Sequence, residues 1–358
     1  LAGIFLGLGL HGYTSFRIMP FVVLAAIGLY LLHRQSRGAR YQALYGLVIV
    51  AVVSFAVFLP LFRYAVDNPE MFAYRTFTRV GSIERPLPGP AGEIFLGNLW
   101  NAMTMFFWSD GDVWVNSIPN RPALDTISAA LFFLGLILVA MRYVKSRNWS
   151  DIFLIVSIPL LMMPSILSLA FPNENPSLNR TAGAIIPIFV IAGLGLDALI
   201  TGLKNSLAGR PGKLAAAVTV SVLLLFSLQQ NYQLVFQEYA TQYRNSAWNT
   251  TEMGQVMRGF ASSVGSDQTS WVVAYPYWVD TRLVGINAGF PTRDYAIDKE
   301  RIPETVAIPG AKLFLLNTQD ENALSILEST YPNGSVYRYP SATPSKDFWV
   351  YLVLPEKQ

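Results

Sequence analysis

Long apolar segments alternate with short polar segments through the amino-terminal two thirds of the chain. Each apolar run approaches or reaches the ~20 residues that a helix needs to cross the hydrocarbon core of a membrane. The runs cover residues 18–32, 41–61, 126–141, 152–171, 182–203 and 214–228. This pattern predicts a polytopic α-helical membrane protein with six complete crossings. Residues 1–10 are also apolar but too short to span, and we interpret them as the outer half of a truncated crossing.

The distribution of charge predicts the orientation of these crossings. Residues 33–40, 142–149 and 204–213 each contain three Lys or Arg and no Asp or Glu. A basic bias in short loops marks the cytoplasmic face, and here it falls on every second loop, as alternating crossings require. Residues 62–124 are therefore expected to form a long outer segment. The basic loops suit contact with a lipid bilayer, so the positive net charge gives no reason to expect a nucleic-acid partner.

The pattern changes at about residue 232. Polar and charged residues become common, and the apolar runs shorten to the length of strands. Strands are predicted at residues 271–275, 283–286, 312–317, 335–339 and 348–354, with a helix within 238–264 and another after the third strand. Strands that alternate with helices indicate an α/β domain. The expected organisation is a transmembrane bundle at 1–231 and an extracytoplasmic α/β domain at 232–358.

Composition excludes several kinds of chemistry. The chain has no cysteine and only two histidines, so disulfides, cysteine nucleophiles and histidine-rich metal sites are not expected. We find no phosphate loop, dinucleotide fingerprint, nucleophile elbow or zinc-protease motif. No metal ligands are predicted, although a divalent cation stays open as a cofactor.

Two polar clusters lie at predicted outer ends of crossings. The first contains His11, Tyr13 and Arg17, and the second contains Asn179 and Arg180, directly before the fifth crossing. Arginine presents a fixed fork of donors that suits phosphate, so these residues are candidates for binding a lipid-borne phosphate. The alternatives are interfacial anchors for the first cluster and a solvated loop arginine for the second.

The predicted outer segment holds the remaining candidates. Arg75 and Arg79 lie among aromatic residues, and Trp108 precedes Asp110 and Asp112, which flank a glycine. These groups could contact a sugar or an acceptor, and the acidic pair could hold a divalent cation. The alternatives are a plain surface helix for the arginines and a tight turn for the aspartates, because Asp and Gly both favour turns.

Several segments together resemble a known family. They are GLGLHGYTSFRIMP near the amino terminus, MFFWSDGDVWVNSIPNRPALD in the outer segment, NRTAGAIIP followed by GLGLDAL, and AYPYWVD, LFLLNTQDE and KDFWVYLV in the last third. In this order they resemble the bacterial members of glycosyltransferase family 39. These are GT-C membrane enzymes related to dolichyl-phosphate-mannose protein mannosyltransferases and to the lipid A aminoarabinose transferase. The similarity covers nearly all of the chain but only about the carboxyl-terminal two thirds of a typical member.

The resemblance implies a function. Such enzymes transfer a sugar, such as a mannose-like hexose or a pentose, from a polyprenyl-phosphate donor to a glycan, lipid or protein acceptor of the bacterial cell envelope. The transfer inverts the anomeric carbon. Tyr13, Arg17 and Arg180 would contact the lipid phosphate. The family's general base is an Asp in the first outer loop, which no residue here matches; it is expected upstream of Leu1, so the isolated chain is expected to be inactive.

Two other functions are compatible with a polytopic membrane protein. The chain could be a non-catalytic membrane subunit whose outer α/β domain binds a partner or a glycan. It could also be a transporter, but transporters tend to carry ionisable residues near the membrane midplane. The predicted crossings have none at mid-depth, because Asp197 lies towards the inner end of its crossing.

Overall fold

The chain divides into two units, Leu1–Ala240 and Thr241–Gln358. They are taken from a computed structural model that describes residues 1–81, 86–207, 209–276 and 278–355, with the side chains of residues 75 and 76 outside the description. The change in composition suggested a boundary near residue 231. The division falls later, because the last long helix continues past that point as a π-helical segment, Leu234–Tyr239.

The first unit is built from helices. They are α1 (Ala2–Gly9), α2 (Met19–Leu32), α3 (Arg40–Asp67), α4 (Pro69–Val80), α5 (Ala91–Thr104), α6 (Thr126–Ser146), α7 (Trp149–Ile166), α8 (Leu178–Thr181), α9 (Ile185–Ser206) and α10 (Arg210–Gln233). A 3-10 turn, Thr14–Ile18, leads into α2.

Among the described residues, six helical segments are long and apolar enough to cross a membrane. They are Thr14–Leu32, Arg40–Asp67, Thr126–Ser146, Trp149–Ile166, Leu178–Ser206 and Arg210–Ser246. The prediction of a helical integral membrane protein with six apolar crossings is confirmed at this level. One helix end differs from the prediction. Helix α7 stops at Ile166 instead of reaching residue 171. The buried Asn98 side chain donates a hydrogen bond to the Ile166 carbonyl oxygen at 2.9 Å.

The short helix α1 packs against α3. Gly3 and Gly7 lie at this contact, since a Cβ atom on Gly3 would lie 2.8 Å from the Val50 carbonyl oxygen and one on Gly7 would lie 2.6 Å from that of Ser54. The absence of a side chain lets the two backbones approach closely, as is common between helices in membranes.

Helices α6 and α9 cross at a second glycine contact. A Cβ atom on Gly135 would lie 2.0 Å from the Ile191 carbonyl oxygen, and one on Gly195 would lie 2.3 Å from that of Leu131. Gly195 therefore lies at the crossing, whereas Gly193 of the same helix has open space where a Cβ atom would lie.

These glycines give a matched pair of variants. We expect Gly135→Ala to lower the free energy of unfolding by about 1–3 kcal/mol, because the added methyl group would force the two helices apart. The control Gly193→Ala should be neutral or slightly stabilising, because alanine favours a helix more than glycine. Thermal unfolding of both variants in one detergent measures the difference. Equal transition temperatures would show that the close crossing does not contribute to stability.

The second unit combines helices with a sheet. The helices are α11 (Ala240–Ser246), which begins at the junction, α12 (Thr250–Ala261), α13 (Thr281–Ala288) and α14 (Glu321–Thr330). The strands are β1 (Ser270–Val273), β2 (Ala296–Ile297), β3 (Lys312–Asn317), β4 (Ser335–Tyr339) and β5 (Phe348–Val353). Their order in the sheet is β2-β1-β3-β5-β4, with β1 parallel to β2 and β3, and with β5 antiparallel to β3 and β4.

The sheet has apolar clusters on both faces. Leu313 and Leu315 of β3 pack with α12 and α13, while Phe314 and Leu316 pack with α14. This alternation along one strand is the two-residue period of β-structure. The unit therefore has the α/β character that the sequence predicted.

One predicted strand is wrong. Residues 283–286 lie within α13 instead. The Asp280 side chain caps the start of this helix by accepting a hydrogen bond from the Arg282 backbone N–H at 3.0 Å, and Gly289 ends it with a φ of 91°. These two caps outweigh the apolar character of the short run, which by itself does not distinguish a strand from a helix.

Candidate functional site

One cavity brings together cationic side chains from three separate parts of the first unit. It has a volume of about 640 Å³, and its lining includes Arg17, Arg79 and Arg180. Tyr13 contributes a phenol to the wall and Phe21 an apolar ring. We call this space the arginine cavity.

Helix direction explains why these residues meet. Arg17 lies in the 3-10 turn at the start of the first crossing, and Arg180 lies in α8 at the start of the fifth. Successive crossings run in opposite directions, so the starts of the first and fifth crossings face the same side as the end of the fourth, α7. Both the 3-10 turn and α8 pack against α7.

Arg17 is held by an aromatic residue of α4. Its Nη1 donates a hydrogen bond to the Phe72 carbonyl oxygen at 3.1 Å, and its guanidinium carbon lies 4.0 Å from the centre of the Phe72 ring. Within the described part of the chain, no carboxylate forms an ion pair with Arg17. The side chain is therefore oriented, and none of the described carboxylates neutralises its charge.

Arg79 and Arg180 share one carboxylate, that of Glu174. The Arg79 Nη1 atom lies 2.7 Å from Glu174 Oε2, and Arg180 Nη2 donates to the same oxygen. Arg180 also donates to the Ser168 hydroxyl at 3.1 Å, and the Arg79 guanidinium carbon lies 4.1 Å from the centre of the Phe171 ring. Because α7 ends at Ile166, residues 167–171 lie outside the helix, where Ser168 contacts Arg180 and Phe171 contacts Arg79.

Glu174 is ionised in this arrangement. Burial opposes its charge, but hydrogen bonds and attraction from Arg79 and Arg180 outweigh burial and hold the pKa of the carboxyl below its usual value. Of the described side chains, the three arginines and this carboxylate together carry a net charge of +2. An anion that enters the cavity would meet guanidinium donors that Phe72, Ser168 and Glu174 already hold in place.

The other predicted phosphate contacts are placed differently. Asn179 lies beside Tyr13 and donates a hydrogen bond to its hydroxyl at 3.4 Å. His11 faces α3, where its Nε2 lies 3.0 Å from the Val57 carbonyl oxygen and its ring lies edge-on to Phe58. The arginine cavity is lined by Tyr13, Arg17 and Arg180 but not by His11. Arg75 is a candidate whose side chain lies outside the described residues.

A second cavity lies at the carboxyl end of α5. It has a volume of about 370 Å³, and Trp100 and Trp108 line it together with Asp112 and Asn120. Residues 175 and 176, from the same loop as Glu174, also form part of the wall. We call this space the tryptophan cavity.

The two predicted aspartates do not act as a pair. Asp110 is buried, and its Oδ1 atom accepts a hydrogen bond from the Arg121 backbone N–H at 3.4 Å. Its Oδ2 atom has no hydrogen-bond partner among the described residues, and burial raises the pKa of this carboxyl. Asp112 is exposed and lines the tryptophan cavity. The described residues contain no group of three or more His, Cys, Asp or Glu that could hold a metal ion.

An apolar groove runs between α1, α2 and α3. Its volume is about 260 Å³, and its lining includes Pro20, Leu24 and Phe58. The ring centre of Phe58 lies 6.5 Å from that of Phe72, the ring that Arg17 contacts. Phe21 of α2 lines the arginine cavity. The apolar groove and the arginine cavity are thus neighbours, and α2 contributes residues to both.

No protein family, curated protein or solved structure matches the chain in the comparisons that we made. The resemblance to glycosyltransferase family 39 therefore stays a prediction, and the functional argument depends on the geometry of the cavities.

Sequence reasoning missed Glu174 and Trp100. Glu174 is the only acidic residue between the fourth and fifth crossings, and its position between two arginine-bearing segments was a signal for an ion pair. Trp100 lies in α5 and Trp108 in the turn that follows this helix, so the two indoles meet through the fold of that turn.

Proposed function

We propose that this chain carries the donor-phosphate site of a membrane glycosyltransferase that uses a polyprenyl-phosphate sugar. The observation that carries the proposal is the arginine cavity, where Arg17 has no carboxylate partner in the described part of the chain. The family resemblance suggests the same activity. The acceptor would be a glycan, lipid or protein.

A lipid-linked phosphate matches the two neighbouring surfaces. Its polyprenyl chain needs an apolar surface open to the bilayer, which the groove beside Phe58 offers. Its phosphate needs donors and positive charge at the membrane boundary, which Arg17, Arg79 and Arg180 offer. A purely apolar ligand would gain nothing from the arginines, and a soluble anion would gain nothing from the groove.

The arginines would assist departure of the lipid phosphate. Negative charge grows on the phosphate as the sugar leaves, and fixed donors aimed at it stabilise the transition state more than the ground state. Arg17 would bind the phosphate directly. Arg180 would do so while Glu174 holds its guanidinium in place, and Tyr13 would donate a hydrogen bond from its hydroxyl.

A transfer assay tests the proposed activity. Membranes that contain the full-length protein are incubated with radiolabelled polyprenyl-phosphate mannose or arabinose and a cell-envelope extract. Protein-dependent transfer of label from the lipid to a larger acceptor supports the proposal. No transfer from either donor, with the protein present and folded, counts against it.

The proposal also requires the arginine cavity and the second unit to face the outside. The basic loops predict this orientation. Because the chain has no cysteine, single cysteines report location cleanly. We expect a membrane-impermeant maleimide to label Ser329→Cys in intact cells and to label Gln35→Cys, in a basic loop, only after permeabilisation. The reverse pattern would invert the orientation and remove the outer-face assignment.

A further inference from the structure

We propose that the tryptophan cavity is a carbohydrate site that holds one pyranose ring against its indole side chains. Its volume of about 370 Å³ is at the lower end of the range for small-molecule pockets, about 300–1,000 Å³, and suits a ligand of one or two rings. Binding of a sugar here does not require the chain to be an enzyme. That the ring belongs to an acceptor glycan is a second step, and it rests on the proposed function.

Two indole side chains form the apolar part of the cavity. Trp100 is 70% exposed and Trp108 is 75% exposed, although both are large apolar residues. Trp108 follows α5 closely, since its backbone N–H donates to the Thr104 carbonyl oxygen at 3.0 Å. The C–H face of a pyranose ring is apolar and can cover an indole, which would remove this exposed surface from water.

Unpaired polar groups stand beside the indoles. Within the described part of the chain, the side chains of Asn101 and Asp112 have no hydrogen-bond partner, and Asp112 has no cation within ion-pair distance. The Asn120 side-chain oxygen accepts a hydrogen bond from the Ser109 hydroxyl, which leaves its amide N–H groups available. A carboxylate and amides are suitable partners for sugar hydroxyls, which both donate and accept.

The wall of this cavity is fixed before any ligand binds. The buried Asn175 accepts a hydrogen bond from the Ser165 hydroxyl at 2.7 Å and donates one to the Asn98 carbonyl oxygen at 2.9 Å. Gly111 has a φ of 92°, and a Cβ atom there would lie 2.6 Å from the Pro176 carbonyl oxygen. Asn120 has a φ of 61°, a conformation that few residues other than glycine adopt. Such local constraint is typical of binding sites.

An interfacial aromatic belt is the competing explanation for the exposed indoles. A belt accounts for Trp100 and Trp108 but gives no role to free amide and carboxylate groups arranged around a shared hollow. It also predicts that loss of Asp112 has no effect on sugar binding. The two explanations therefore differ in a measurable way.

Direct binding to the full-length protein in nanodiscs tests the proposal. The probes are methyl α-mannopyranoside, methyl β-glucopyranoside, N-acetylglucosamine and methyl β-arabinopyranoside, observed by saturation-transfer difference NMR. At least one pyranoside should bind saturably. Trp108→Ala and Asp112→Asn should each weaken that binding at least about tenfold, as expected for loss of a stacked ring or of a hydrogen bond to a charged group.

Matched variants keep the result specific. Leu96→Ala changes a residue of α5 that is 64% exposed and does not line the cavity, and Glu93→Gln changes an exposed carboxylate of the same helix. Neither should alter sugar affinity. Absence of saturable binding by all four pyranosides, or binding that survives both Trp108→Ala and Asp112→Asn, would overturn the carbohydrate assignment. Either result would leave the transfer assay, and with it the proposed function, untouched.

Discussion

Replacing Arg17 by alanine in the full-length protein is expected to lower turnover by a factor of about 10²–10³, the usual cost of removing one donor aimed at developing negative charge. The loss follows from geometry. Arg17 is the arginine of the cavity without a carboxylate partner among the described residues, so its charge is available to the departing phosphate. Expression should stay normal, because with the described residues the Arg17 side chain makes one hydrogen bond and one ring contact.

Two further variants sharpen this experiment. Arg17→Lys keeps the charge but loses the fork of donors and should recover only part of the activity. Arg63→Ala is the matched control, since Arg63 is an exposed arginine at the carboxyl end of α3 and lies 3.9 Å from Asp67. Arg180→Ala should also lower turnover, but it removes a partner of Glu174 at the same time. Near-normal turnover in Arg17→Ala would exclude this residue from the mechanism.

Replacing Glu174 by glutamine is expected to lower the free energy of unfolding by about 1–2 kcal/mol. Glutamine leaves Arg79 and Arg180 close together without the carboxylate that they share, and it weakens two charge-assisted hydrogen bonds. The expected loss of stability is modest because about a third of the Glu174 side chain is exposed, so water screens part of its attraction to the arginines. Thermal unfolding in detergent measures the change. The control is Asp67→Asn, which removes a more exposed ion pair in the same unit and should change stability by less than about 0.5 kcal/mol.

The difference in the free energy of unfolding between wild type and Glu174→Gln should become smaller as the pH falls. The folded pKa of Glu174 is lowered, so its stabilisation is complete above the unfolded pKa of about 4.3 and is lost as the pH falls through the lower folded value. The stability difference should be constant between about pH 7 and pH 5 and disappear in stronger acid. A difference that disappears already near neutral pH would mean that Glu174 is not held as an ion pair.

The transmembrane helices could be predicted from the sequence because bilayer thickness fixes their length and demands apolar composition. Helix ends were harder to predict. Residues 167–171 are as apolar as the crossing before them, yet they leave the helix and form part of the wall around Arg180. The run at 283–286 was misassigned for a related reason, since its caps at Asp280 and Gly289 decide its structure and lie outside the run.

The candidate site could be predicted only in part. Arg17 and Arg180 were identified separately, because arginine at a helix end is visible in a sequence. Their meeting in one cavity depends on the packing of the 3-10 turn and α8 against α7, which the pattern of apolar residues does not specify. Glu174 was missed because an ion pair that joins residues 79 and 174 is a tertiary contact.

Binding of a lipid phosphate is the most direct test of this account. Full-length protein in nanodiscs is titrated with undecaprenyl phosphate and, separately, with undecaprenol, and the bound lipid is counted by native mass spectrometry. The account predicts that the phosphate form binds much more tightly than the alcohol, and that Arg17→Ala reduces this preference by at least about tenfold. Equal binding of the two lipids, or a preference that Arg17→Ala leaves unchanged, would contradict a phosphate site in the arginine cavity.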